Sequence, residues 1–126
     1  MSTYVGIGFS NDPDTAKAAQ DAADQAKQNL HSSNIDIAII FNTVHYNPSD
    51  FIPILYNQLK KTRLIGSSTA GILINEKIEK RGIAVLLMYS DDVRFEIGYV
   101  DNMHLQDLKA AGTQLTKNCV SDYGKE

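Results

Sequence analysis

A helix with an alanine face constrains this chain more than any other feature of its sequence. Asp12 is placed to cap the helix, Pro13 fits its first helical position, and the helix runs to about Leu30. Its apolar positions recur at spacings of three and four and therefore share one face: Ala16, Ala19, Ala23, Ala26 and Leu30. Because alanine side chains are small, we expect this helix to lie close against a sheet.

Short apolar segments around this helix predict three strands. The first covers residues 3–9, and the second covers residues 35–41, a near-continuous apolar run typical of strands that are covered on both faces. A second helix, capped by Asp50, leads from there to about Lys61. Residues 64–65 form a short third strand, so this part of the chain is predicted to be β-α-β-α-β.

The remaining sequence predicts an antiparallel meander and a last helix. The meander strands cover residues 72–74, 82–89 and 93–100, and short polar turns join them. A helix over residues 104–117 places five residues on one side: Leu105, Leu108, Ala111, Gly112 and Leu115. We therefore expect an α/β (α+β mixed) fold in one domain, residues 1–126, with β-α-β-α-β followed by an antiparallel meander and a C-terminal helix, a mixed sheet with packed helices.

Composition excludes several classes of function. The chain has 126 residues, of which 12 are basic and 15 acidic, and its formal charge is −3, so we expect no nucleic acid partner. No apolar run is long enough to span a membrane, so we expect no membrane partner. The first residues lack the pattern of a secretory signal, and the single cysteine, Cys119, cannot form an internal disulfide. These features predict a cytoplasmic protein.

Metal and cofactor patterns are incomplete in this sequence. The three histidines lie far apart, and Cys119 has no cysteine or histidine at ligand spacing. Gly6-x-Gly8 after the first strand is similar to a dinucleotide-binding turn, but Asn11 replaces its third glycine. We therefore expect neither a metal nor another cofactor.

One run of small residues, Gly66-Ser67-Ser68-Thr69-Ala70-Gly71, stands between two apolar stretches. Its glycines have the spacing of a phosphate-binding loop, but Ile72 and Leu73 replace the lysine and the hydroxyl that bind the nucleotide and Mg²⁺. The run also resembles the G-x-S-x-G turn of serine hydrolases, although a strand follows it and the sequence does not place a histidine base. We expect no catalytic residues, and a serine-dependent hydrolase is the less favoured alternative.

The same run can instead hold a small molecule. Turns rich in glycine and serine present successive N–H groups to an anion, and in such a turn Gly66 and Gly71 supply unusual backbone angles. The alternative is a tight corner in which small side chains only allow close packing. Residues 8–11 and 42–46 follow strands that we expect to run parallel to the third strand. The three loops should then converge on one edge of the sheet, which favours binding.

Four segments of the chain resemble the amino-terminal part of a FIST domain: VGIGFSNDPDTAKAAQDAADQAKQNL, IDIAIIFNT, RLIGSSTAGILINEK and GIAVLLMYSDDVRFEIGYVDN. The Ser-Thr-Ala-Gly run after a strand is the most specific element of the resemblance. It implies a cytoplasmic sensory module of signal transduction that binds a small ligand such as an amino acid and carries no catalytic residues. The ligand-binding residues that it implies are Gly66, Ser67, Ser68, Thr69, Gly71, Ser10, Asn42 and Thr43.

The resemblance also implies partners. The carboxy-terminal part of a FIST domain is absent from this sequence, so the expected partners are that part, a signalling output domain or a second copy of the chain. The alternative function is a protein-interaction or dimerisation piece that binds no ligand and docks through an exposed sheet.

Overall fold

The computed structural model describes residues 2–102 and 107–120. Nine elements follow one another along these residues: β1 (Thr3–Ser10), α1 (Thr15–Leu30), β2 (Ile37–Thr43), α2 (Pro48–Gln58), β3 (Leu64–Thr69), β4 (Ile72–Ile74), β5 (Lys77–Glu79), β6 (Ile83–Ser90) and α3 (Leu108–Val120). The chain divides into two units, residues 1–93 and residues 94–126. The first unit contains both sheets, and its helices and mixed sheet confirm the predicted fold class. None of the helices in the described ranges is long and apolar enough to cross a membrane.

The main sheet has the strand order β1-β6-β2-β3. Strands β2 and β3 are parallel, whereas β6 is antiparallel to both of its neighbours. Strands β1, β2 and β3 therefore point in one direction, and their carboxyl ends lie at the same edge of the sheet, as predicted. The register places Ser10, Ile83, Asn42 and Ser68 in one row across the four strands.

Helix α1 packs against β1 at the two glycines of that strand. A Cβ atom added to Gly8 would lie 1.9 Å from the Ala22 carbonyl oxygen, and one added to Gly6 would lie 2.2 Å from the Ala26 oxygen. The buried face of α1 consists of Ala18, Ala19, Ala22, Ala23, Ala26 and Leu30. The predicted close approach of an alanine face is confirmed. The prediction that Ala16 belongs to this buried face is wrong, because Ala16 lies in the first turn of α1 and is exposed.

Both helices of the first unit start at residues other than the predicted caps. Asp14 caps α1 by accepting a hydrogen bond from the Lys17 amide at 3.0 Å. Asn47 caps α2 by accepting one from the Ser49 amide at 3.1 Å, and Pro48 takes the first helical position. Asp12 and Asp50 are therefore not the caps: the first lies before α1 and the second within the first turn of α2.

Asp12, which precedes α1, instead forms a hydrogen bond and an ion pair with the start of that helix. Its carboxylate accepts a 2.9 Å hydrogen bond from the Asp14 amide and lies 3.2 Å from the Lys17 ammonium. The hydrogen bond from the Asp14 amide, followed by the Lys17 contact, lowers the pKa of Asp12 below its ordinary value.

We expect the stabilising effect of Asp12 to depend on pH. Because the folded-state pKa lies below the unfolded-state pKa, this effect is present above the ordinary aspartate pKa and is lost as the pH falls through the folded-state pKa. Urea unfolding of the wild type and Asp12→Asn should therefore differ at pH 7 and converge towards pH 2. An equal difference at both pH values would assign the loss to geometry instead of charge.

The hydrophobic core lies between the main sheet and the two helices of the first unit. Its largest buried side chains include Phe51 and Leu55 of α2 and Leu87 of β6. On the opposite face of the sheet, Phe41 and Ile65 are each 42% exposed. Strand β2 is thus well covered on its helix face, but the prediction of full cover on both faces is wrong at Phe41.

The predicted meander divides between two sheets. Strands β4 and β5 form a separate antiparallel hairpin whose turn has Asn75 at a left-handed φ of 53°. Strand β6 instead enters the main sheet between β1 and β2. Residues 93–100 form no strand, so that prediction is wrong. In this segment the Tyr99 carbonyl accepts a hydrogen bond from the Asn118 side chain of α3 at 3.1 Å, a side-chain contact and not a strand ladder.

The last helix begins later than predicted and buries less. Helix α3 buries Ala111, but Leu108 is 70% and Leu115 39% exposed, so the predicted apolar face is wrong at these two positions. Gly112 is also exposed, and Leu105 lies outside the described residues. The helical spacing of these residues in the sequence could not show which of them have a packing partner.

Candidate functional site

A cavity of about 330 Å³ lies between β3 and the start of α2. Four predicted ligand-binding residues line it, namely Asn42, Gly66, Ser67 and Ser68. Its other lining residues are largely apolar: Ile40, Pro48, Ile52, Leu64 and Ile65. The cavity thus places a few polar groups beside an apolar wall, which is the usual composition of a small-molecule site.

The small-residue run does not form the predicted turn. Residues Gly66 to Thr69 continue β3 and pair with Ile40 to Thr43 of β2. Neither Gly66 nor Gly71 has a left-handed φ, so the prediction of unusual backbone angles is wrong. Gly66 is required for a different reason, because a Cβ atom there would lie 1.9 Å from the Ile40 carbonyl oxygen. The run therefore presents an extended edge in place of a nest of successive amides.

The parallel register determines which backbone groups of β3 face outward. The Ala38 amide donates to the Arg63 carbonyl at 3.0 Å, and Ala38 pairs with Leu64. In a parallel ladder this arrangement turns the amides of residues 65, 67 and 69 towards β2. The N–H and C=O groups of Leu64, Gly66 and Ser68 then point away from the sheet. We call this row the β3 edge.

Asn42 fixes the polar end of the cavity. Its side chain is 4% exposed, and its amide group donates to the Thr43 carbonyl at 3.0 Å and to the Tyr46 carbonyl at 3.2 Å. Its Oδ1 atom accepts a hydrogen bond from the Ser68 hydroxyl at 3.4 Å. Asn42 therefore holds the loop after β2 and orients Ser68.

Other predicted residues do not line this cavity. Ser10 lies two strands away from Asn42 in the same row, and its hydroxyl accepts a hydrogen bond from the Asp12 amide at 3.3 Å. Thr43 is buried, and its hydroxyl accepts one from the Gly82 amide at 3.1 Å. Thr69 donates to the Gly71 carbonyl at 2.9 Å and so shapes the bend after β3.

Sequence reasoning did not identify the role of Tyr46 at this end of the sheet. Its ring is buried, and its hydroxyl donates to the Asp12 carbonyl at 2.7 Å. The Arg81 guanidinium lies 5.6 Å from the ring centroid, within cation–π range. Tyr46 therefore joins the loop after β2 to the loop after β1.

A larger cavity, of about 730 Å³, lies beside β1 and the β4–β5 hairpin. It contains none of the predicted ligand-binding residues. Two of its polar side chains, Gln25 and Asn29, already bind the backbone of β1. The cavity beside β3 is therefore the stronger candidate.

The hydroxyls of Ser67 and Ser68 both donate to uncharged amide oxygens. Ser68 donates to an amide oxygen of Asn42, and Ser67 donates to the Ser68 carbonyl at 2.9 Å. Neither acceptor has the basicity that a general base needs. Within the described ranges, no group of three histidine, cysteine, aspartate or glutamate residues is placed to hold a metal ion.

Comparison with known proteins gives a family match and distant structural likenesses, two of them to FtsZ chains. The FIST N domain matches residues 36–125. No curated protein matches the sequence significantly. The FtsZ W319Y mutant, P1, of M. jannaschii is 20% identical with a TM-score of 0.46 and is matched over 68% of this chain and 26% of its own. The empty FtsZ dimer of M. jannaschii is 21% identical with a TM-score of 0.41 and has the same coverage.

The chain thus spans about a quarter of the length of these FtsZ chains, and likeness at these scores has no bearing on function. The family match, in contrast, covers most of the chain and confirms the resemblance seen in the sequence. The chain belongs to the FIST N family, which consists of sensory modules of signal transduction.

Proposed function

We propose that this chain is a cytoplasmic ligand-sensing module without catalytic activity, and that the cavity beside β3 binds a small polar ligand such as an amino acid. One observation carries the proposal: Asn42, Gly66, Ser67 and Ser68, which the family resemblance implied, line a single cavity. Its volume of about 330 Å³ is at the lower end of the range for small-molecule sites.

The polar groups around the cavity suit the two ends of an amino acid. The outward N–H groups of Gly66 and Ser68 can donate to a carboxylate, and the outward carbonyl of Gly66 can accept from an ammonium group. The Ser68 hydroxyl adds an adaptable donor and acceptor. Ile40, Ile52 and Leu64 provide an apolar wall for the ligand's side chain. A ligand of this kind would pair with β3 in place of an additional strand.

We expect at least one of the common amino acids to stabilise the full chain in a thermal-shift screen at millimolar concentration. A ligand present at a hundred times its dissociation constant adds about 2.7 kcal/mol to the free energy of unfolding, which is readily measured. Titration calorimetry would then give the affinity of each hit. Absence of stabilisation by every amino acid would contradict the proposed ligand class.

Two matched variants locate the site. Ser68→Ala removes a hydroxyl that lines the cavity and should weaken binding by about tenfold, the effect of one hydrogen bond. Ser10→Ala removes a hydroxyl in the same row but two strands away, and should leave the affinity unchanged. If Ser10→Ala weakened binding and Ser68→Ala did not, the ligand would bind at the end of β1 and not in the cavity beside β3.

A further inference from the structure

The two outer edges of the main sheet differ in their hydrogen bonding. At β1, the Gln25 side-chain oxygen accepts from the Phe9 amide at 3.1 Å, and the Asn29 side-chain amide donates to the Ile7 carbonyl at 2.9 Å. Both side chains come from α1, so the helix occupies groups that another strand would need. The outward row of β1 is therefore partly covered, at Ile7 and Phe9.

The β3 edge is not protected in this way. Among the described residues, the outward amides of Leu64, Gly66 and Ser68 donate to no side chain, and the one outward carbonyl that accepts a hydrogen bond is that of Ser68. The strand from Leu64 to Thr69 contains no charged residue and no proline, which are the usual devices against strand pairing. This edge is competent to pair with another strand.

We propose that two copies of this chain pair antiparallel through the β3 edge and form a continuous eight-stranded sheet. The proposal does not rest on the proposed ligand, which would compete with the second copy for the outward groups of Gly66 and Ser68. Backbone complementarity alone would admit any extended strand, so the choice of a second copy depends on the charges and side chains beside the edge.

The charges at the two ends of α2 complement each other in such a pair. Asp50 lies in the first turn of α2, and Lys61 follows its last turn; both are exposed and have no ion-pair partner among the described residues. Because α2 connects two parallel strands, it runs back along the sheet, so Asp50 lies near the carboxyl end of β3 and Lys61 near its amino end. Antiparallel pairing therefore brings Asp50 of each copy to the end that carries Lys61 of the other.

The helix also offers apolar surface between these charges. Ile52 and Tyr56 are one turn apart on α2 and are 36% and 42% exposed. Ile52 lines the cavity beside β3 together with Leu64, so this side of the helix faces the β3 edge. In the antiparallel pair the two helices lie on the same face of the extended sheet, where these side chains can be buried.

Sedimentation velocity with the full chain over a range of concentrations tests the proposal. We expect a species of twice the 13.9 kDa chain mass. Ser68→Pro removes an outward amide that β2 does not use, and should weaken pairing by about tenfold or more. Ser68→Ala keeps that amide and should pair like the wild type. A monomeric wild type at every concentration, or a dimer that Ser68→Pro leaves unchanged, would overturn the proposal.

Charge exchange tests the antiparallel orientation without altering β3. Asp50→Lys and Lys61→Glu should each weaken pairing several-fold, and the double variant should restore it. Circular dichroism of each variant monitors the fold. Failure of the double variant to restore pairing while its spectrum stays native would contradict the antiparallel arrangement.

Discussion

Gly8→Ala is expected to destabilise the fold by at least about 3 kcal/mol, the upper end of the usual cost of overpacking. The added Cβ atom would lie 1.9 Å from the Ala22 oxygen and 2.7 Å from the Ala26 nitrogen. Both are backbone atoms of α1, so no side-chain rotation can relieve the contact. The helix would have to move away from β1, which would loosen the packing of its alanine face. Urea unfolding of the full chain, followed by circular dichroism, measures the loss.

Gly71→Ala is the matched control for this substitution. A Cβ atom at Gly71 would make an ordinary contact with the Glu79 oxygen at 3.5 Å, and the backbone there is not left-handed. We expect a change within about 0.5 kcal/mol, as at most surface positions. If Gly8→Ala were no more costly than this control, α1 would not pack against β1 at backbone distance.

Tyr46→Ala is expected to cost about 3–5 kcal/mol, as is usual for removing a buried aromatic ring. The side chain is among the largest that are fully buried, and it belongs to the core cluster. Its hydroxyl also donates to the Asp12 carbonyl, so the substitution separates the loops after β1 and β2. Thermal and urea unfolding should both show the loss.

Tyr46→Phe separates the hydrogen bond from the packing of the ring. It keeps the ring and removes the 2.7 Å contact with Asp12, so we expect a smaller cost of about 1 kcal/mol. Tyr56→Phe, which alters a half-exposed ring on α2, should change stability by less than about 0.5 kcal/mol. Equal costs for Tyr46→Phe and Tyr46→Ala would show that the ring contributes little.

Local pattern was sufficient where short-range packing determines the structure. The alanine spacing predicted a helix that approaches the sheet closely, and Gly6 and Gly8 provide the space for it. The alternation of strands and helices up to β3 predicted the shared direction of β1, β2 and β3. These features depend on side-chain size and on the connection of neighbouring elements, which the sequence displays directly.

Pairing between distant segments was not predictable in the same way. Strand β6 lies between β1 and β2, although about forty residues separate it from β2. The apolar pattern of β6 predicts a strand but does not show which strands it pairs with. The run from Gly66 to Thr69 has weak strand propensity, yet pairing with β2 holds it extended. Residues 93–100 have strand propensity but no strand ladder.

The candidate site was only partly visible in the sequence. Asn42, Gly66, Ser67 and Ser68 were identified from the small-residue run and the family resemblance, and they line one cavity. Pro48 and Ile52 were missed because the start of α2 was placed after Asp50, whereas Asn47 caps it. With the correct cap, the first turns of α2 fall beside the carboxyl end of β2, where they complete the apolar wall.

The difference between the two sheet edges limits how far assembly can proceed. Gln25 and Asn29 bind the Phe9 amide and the Ile7 carbonyl at the β1 border of the main sheet, whereas the outward amides of the β3 edge donate to no side chain among the described residues. In the proposed pair the two β3 borders face each other around a two-fold axis, so this contact is closed and gives no site on which a third chain can add.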